Sequence, residues 1–232
     1  MSNVSPAMDY LRFRDLFQEF ARKLEEQHTY YLDSIVGFSA LHERLVAKQN
    51  AVKEFLVDHE LANDQFLDTC STMYRQLSGK DFTPVSLSPV MKQGDVKARN
   101  KEDGKNYFIL GANCIVALYS YWEEYLRIEI GIAMGVLRKG ATNTDKTRAV
   151  LNQYVVSDIW GDIRLLRNSI VHKDGVASSD MGKCKIIKCF APGDTIQLDF
   201  NKMRGIFMLL AGYRNELDRL SRPPRQGIRL PG

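Results

Sequence analysis

From Phe17 to Phe66 the apolar and aromatic residues recur at steps of three and four, through Phe20, Leu24, Tyr31, Ile35, Phe38, Leu41, Leu45, Val52 and Phe55, with polar residues between them. This is the period of a long amphipathic helix and is incompatible with the alternation of a strand. The segment from about Ala7 to Leu77 is therefore expected to be helical. Two forms fit: one helix carrying a coiled-coil seam, or a helical hairpin that breaks near Gly37, since glycine costs about 1 kcal/mol inside a helix. It serves either as an oligomerisation or partner arm, or as ordinary helices packed on the rest of the chain.

Ser78 to Gly104 holds Gly79, Pro84, Pro89 and Gly94 among serines and lysines, which steers the backbone away from helix. Residues 78–105 are expected to form a linker or loop. Asn106 to Leu137 is apolar on nearly every side, the composition of a helix at the centre of a bundle. Thr144 is placed to cap a helix from Asp145 to about Val156, and Ser157 to cap another from Asp158 to about His172, which Lys173-Asp174-Gly175 ends. Lys185–Phe190 and Thr195–Phe200 are rich in β-branched and aromatic residues and flank Ala-Pro-Gly-Asp, so a β-hairpin is expected at about 184–200. Helical spacing returns at Met203, Ile206, Leu210, Leu217 and Leu220, and the proline-rich tail from residue 222 to 232 is expected to be disordered. The fold class that follows is mainly α.

Several functions are excluded by what the chain lacks. It has no phosphate-binding G-x-x-x-x-G-K-[ST] loop, no dinucleotide-binding glycine fingerprint and no carboxylate cluster that demands magnesium, so neither cofactor nor metal is expected. His28, His42 and His59 lack a ligand-like i, i+4 pairing. Cys70, Cys114, Cys184 and Cys189 match no common zinc or redox spacing and read as reduced structural thiols. No apolar run approaches the roughly 18 residues that span a bilayer, and the first residues lack the layout of a secretory signal, so a cytoplasmic location with no membrane partner is expected. The net charge of +4 is unevenly placed: residues 1–77 carry 8 Lys+Arg against 12 Asp+Glu, and residues 78–232 carry 24 against 16. The basic second part suits a polyanionic partner.

The helix expected from Asp158 has an apolar stripe at Ile159, Ile163, Leu166 and Ile170. On its other face Arg164, Asn168 and His172 follow at i, i+4 and i+8, with Arg167 alongside. Two guanidinium groups, an amide and an imidazole thus share one polar strip. Arginine offers a planar donor fork for phosphate and histidine exchanges protons near neutral pH, which is chemistry suited to a phosphodiester.

Arg167-Asn168-Ser169-Ile170-Val171-His172 resembles the R-x-x-x-x-H signature of HEPN domains, including a polar residue directly after the arginine. Trp122-Glu123-Glu124-Tyr125-Leu126 resembles the W-E motif on a preceding core helix of bacterial HEPN proteins. The resemblance covers residues 106–221 and implies a HEPN-like helical bundle with the hairpin as an insertion and residues 1–77 as an extension. It also implies a homodimer whose two Arg/His sets meet across one cleft. The activity implied is metal-independent cleavage of RNA to 2′,3′-cyclic phosphate and 5′-hydroxyl ends, as in a toxin or anti-phage effector held by an antitoxin or regulatory protein. Arg167, His172, Asn168 and Glu123 would be catalytic, with Glu123 orienting Arg167 or His172, while Arg164 and Lys173 would bind RNA. The alternative is a non-catalytic dimeric module that holds RNA, a nucleotide or a protein partner.

Overall fold

The computed structural model describes residues 8–57, 59–73, 77 and 90–220. The expectations for Ala7, for residues 78–89 of the linker and for the tail lie outside these residues. The protein is mainly α-helical: α1 (Tyr10–Phe55), α2 (Asp64–Thr69), α3 (Gln93–Asn100), α4 (Lys105–Tyr121), α5 (Arg127–Ala133), α6 (Asp145–Tyr154), α7 (Asp158–His172) and α8 (Phe200–Leu220). Two-residue strands β1 (Ser71–Thr72) and β2 (Met91–Lys92) pair antiparallel, Ser71 with Lys92 and Thr72 with Met91. Among the described residues no helix is long and apolar enough to cross a membrane.

The chain divides into two compact units, one of Met1–Thr29, Ala112–Gln197 and Asn201–Gly232, the other of Tyr30–Gly111 with Leu198–Phe200. α1 contributes to both, and so does α4. This division does not follow the expected boundary after residue 77, because apolar residues of α1 are core residues of the first unit: Phe13, Leu16 and Phe20 are wholly buried. The helix also runs unbroken through Gly37, which corrects the hairpin alternative, and it ends at Phe55 well short of Leu77.

The first unit is built around an aromatic cluster. Trp122 and Trp160 stack with ring centroids 4.7 Å apart, and Tyr213 of α8 meets both edge-on at 5.5 and 5.9 Å. Phe20 of α1 closes the cluster against Trp160 and Tyr213 at 6.1 and 5.9 Å. Edge-to-face aromatic pairs add to the area each ring buries, so this cluster fixes where α7 lies. A second tie is polar: Arg12 donates to Glu129 (2.7 Å), Glu19 (3.0 Å) and Tyr125 (3.1 Å), and Asp9 N donates to Ala133 O at 2.8 Å.

Between α4 and α5, Trp122–Leu126 forms a turn of π-helix, with Arg127 N donating to Trp122 O five residues back. The inserted residue lets the W-E-E-Y-L segment serve several directions at once. Trp122 and Leu126 enter the core, while Tyr125 reaches Arg12. Such π-bulges are uncommon and recur at functional sites.

The second unit has its own small core of Leu45, Leu77 and Val96, with Leu41 and Met91 packed on it. The segment expected to be a loop includes β2 and α3, because both have partners that local sequence does not reveal. Gln49 of α1, 2% exposed, donates to Asp68 (3.0 Å) and Gln93 (3.1 Å), and Lys97 of α3 donates to Gln49 and Asp68, both at 2.8 Å. The Lys97 hydrogen bond holds the Asp68 carboxyl below the usual range. That contribution to stability is complete above the ordinary aspartate pKa and is lost as pH falls through the lowered one.

The expected β-hairpin is not formed; within 184–200 the described residues contain no strand. Ala191–Asp194 does turn, with Asp194 N donating to Ala191 O at 3.1 Å and Gly193 at φ 91°, where glycine carries no steric penalty. Its flanks, however, do not pair with each other. Residues after the turn pair with 175–177: Ala177 N donates to Asp194 O (2.8 Å) and Ile196 N to Gly175 O (2.7 Å). The amides before the turn go to a side chain instead. Asp162 of α7, 3% exposed, accepts from the backbone N–H of Lys185 (2.9 Å), Ile186 (2.6 Å) and Ile187 (2.8 Å). One carboxylate thus replaces a strand partner. Asp162→Ala is expected to lower stability by about 2–4 kcal/mol, since several amides lose a charged acceptor together. Urea unfolding with hydrogen exchange at 185–187 measures this, and wild-type values in both would contradict it.

Candidate functional site

α7 begins where expected, although Ser157 caps it through its backbone alone, without a side-chain hydrogen bond. Thr144 does cap α6, accepting from Thr147 N at 3.2 Å. One side of α7 buries Ile159, Trp160, Ile163 and Leu166. Its C-terminal end is fastened by Ser169, whose hydroxyl donates to Leu165 O (3.0 Å) and accepts from Ser178 N (3.1 Å). Asp174 and Gly175 then turn the chain at φ 50° and 77°, and Gly175 N returns to Ser169 O at 3.2 Å, a helix stop of the left-handed kind. This end of α7 is therefore held from both sides, and it is where His172 sits.

Arg167, Asn168 and His172 come together there. Arg167 Nη1 donates to Asn168 Oδ1 at 3.2 Å and lies 3.1 Å from His172 Nε2. A guanidinium has donors only, so in this contact the imidazole nitrogen is the acceptor. Arg167 and Asn168 are half-buried, and His172 and Lys173 are exposed. Arg167 Nε is buried with no partner among the described residues. The arrangement gathers a cation, an amide and an imidazole whose Nε2 lone pair is engaged by Arg167 at the end of α7.

Glu123 and Arg164 belong to a neighbouring feature. They line an open cleft of about 320 Å³ together with Tyr119, Arg127, Asn152, Ser157, Trp122 and Trp160. Glu123 Oε2 accepts from Tyr119 OH (3.3 Å) and Arg127 Nη1 (3.4 Å), so among the described residues its partners are not Arg167 or His172, the residues it was expected to orient. Arg127 is further held by Asn152 Oδ1 (2.7 Å) and Val155 O (3.2 Å). Burial, reinforced by the Glu123 charge, pushes the Tyr119 phenol up to about 12, which keeps it a hydrogen-bond donor at neutral pH.

Tyr119, Arg127 and Asn152 were missed by sequence reasoning. Glu123 and Arg127 stand at i, i+4, a readable ion-pair spacing, whereas Asn152 arrives from a separate helix and has no local signal. The N-terminal histidines have local structural contacts. His28 lies against Phe207 at 4.8 Å, His42 bonds Lys97 O at 3.1 Å, and His59 accepts from Leu61 N at 3.2 Å. Burial pushes the Cys114 and Cys184 thiols up to about 11, so both are protonated and unreactive at neutral pH. Among the described residues no group of three or more His, Cys, Asp or Glu is placed to hold a metal ion.

The fold and site define a mainly α-helical protein with an Arg-Asn-His strip at the fastened end of one helix. Compared with known proteins, the chain matches no family model, no curated protein and no solved structure.

Proposed function

We propose that the protein is a metal-independent endoribonuclease of the HEPN type that works as a homodimer. The observation that carries this reading is the contact of half-buried Arg167 with both Asn168 and the exposed His172, at 3.2 and 3.1 Å. A bound phosphate draws the Arg167 guanidinium toward its oxygens, where the planar fork makes paired charged hydrogen bonds. That releases His172 Nε2. The freed nitrogen takes the proton of a ribose 2′-hydroxyl, the 2′-oxygen attacks the adjacent phosphorus, and the bond to the 5′-oxygen breaks. The leaving oxygen takes its proton from His172 of a second copy, which is why two chains are required. Arg167 stabilises the charge gathered on the phosphate in the transition state. DNA lacks the 2′-hydroxyl and is left intact.

Incubating the purified protein with mixed RNA in excess EDTA tests the reading. RNA is expected to be cut while DNA of the same sequence is not. A protein that binds RNA tightly but never cuts it would put a binding module in place of the enzyme.

A further inference from the structure

We propose that the cleft bounded by Tyr119, Glu123, Arg127 and Arg164 is a guanine-binding subsite, which rests on the ribonuclease reading for its place beside the Arg167–His172 strip. Its volume of about 320 Å³ falls at the small end of ligand pockets. The Glu123 side chain is only 17% exposed, yet its contacts are long for charged hydrogen bonds, 3.3 Å from Tyr119 and 3.4 Å from Arg127. Only Oε2 is engaged among the described residues. The other oxygen is not sealed from solvent and is free to accept from a ligand in the cleft. Arg164, on the cleft wall, is exposed and makes no hydrogen bond or ion pair among the described residues.

The ligand that fits presents two adjacent N–H donors to the carboxylate and acceptors to a guanidinium. Guanine does both, with N1–H and the N2 amino group on one edge and O6 and N7 on the side that arginine reads. Adenine and cytosine place a ring-nitrogen lone pair beside their amino group, which would face the carboxylate. Uracil offers a single N–H between two carbonyls. Two arginines against one glutamate leave a positive surplus for the attached phosphate.

The position of the cleft gives the subsite its role. Arg164, Asn168 and His172 lie on one row of α7, with each step of four residues advancing about 6 Å along the axis. A base in the cleft is thus close to a phosphate held at the Arg167–His172 end, at a separation suited to nearby nucleotides of one strand. Guanine recognition there would select where the strand is cut.

Trp122 and Trp160 are the only tryptophans of the chain and both line the cleft, so intrinsic fluorescence reports on it directly. The experiment titrates the full-length His172→Ala protein with GMP, IMP, AMP, CMP and UMP. GMP is expected to change the fluorescence saturably and to bind about tenfold or more tighter than the others, including IMP, which lacks only the N2 amino group. Glu123→Gln, which puts an amide in place of the carboxylate, is expected to remove that preference, and Arg164→Ala to weaken GMP binding with the melting temperature unchanged. Equal binding of all five nucleotides, absence of any GMP response, or an unaltered preference in a folded Glu123→Gln protein would each overturn the subsite. Preference for GMP in a protein whose wild type leaves RNA intact would retain the subsite and remove the nuclease.

Discussion

His172→Ala is expected to reduce RNA cleavage by about 10²- to 10⁴-fold, the usual worth of a proton-transfer group, with the melting temperature nearly unchanged. The two halves of this expectation have separate causes. His172 is exposed at the end of α7, and its hydrogen-bonding contact among the described residues is with Arg167, which also bonds Asn168. Losing the ring removes little packing, and exposed substitutions of this sort usually stay within about 0.5 kcal/mol. Arg167→Lys is expected to fail as well, because an ammonium keeps the charge without the planar fork. Rates on a defined RNA, measured beside thermal melts, check both variants. Full cleavage by a stably folded His172→Ala protein would remove the imidazole from the mechanism.

Phe20→Ala is expected to destabilise the protein by about 3–5 kcal/mol, the cost of emptying a buried aromatic site. Phe20 has no exposed surface and packs on Trp160 and Tyr213, so the cavity would open inside the cluster that positions α7. Were α1 a free arm, the same change would cost at most a few tenths of a kcal/mol. Urea unfolding decides between these values. A midpoint equal to wild type would show that the first turns of α1 do not complete this core.

The grouping of Arg167, Asn168 and His172 in the candidate site was legible in the sequence because it is local. Arg167, Asn168 and His172 share one helix whose period, start and stop are all written within 20 residues, and the structure brings their side chains together. The same holds for the cap at Thr144 and for the start of the helix expected from Asn106, which however passes through the π-turn at Trp122–Leu126 and ends at Ala133, short of the expected Leu137. What escaped was carried by distant partners. Residues 185–187 look like a strand, but their N–H groups are claimed by Asp162, more than 20 positions earlier. A signal was present: Asp162 lies on the apolar side of α7 beside Ile159, Ile163 and Leu166, and a carboxylate there requires several donors. Likewise Gln49 and Asp68 gather Lys97 and Gln93 into one cluster, which turns an apparently loop-like stretch into β2 and α3. The π-turn at Trp122–Leu126 has no periodicity of its own, so the direction in which Glu123 points was not readable, and neither was its pairing with Tyr119 and Arg127.

The chemistry of the ends left on cut RNA tests the central claim most directly. In excess EDTA, wild-type protein is expected to produce fragments with 2′,3′-cyclic phosphate and 5′-hydroxyl termini, because the proposed mechanism uses the neighbouring ribose hydroxyl as nucleophile and calls on no metal. Fragments bearing 5′-phosphate, or cleavage that requires an added divalent cation, would contradict it.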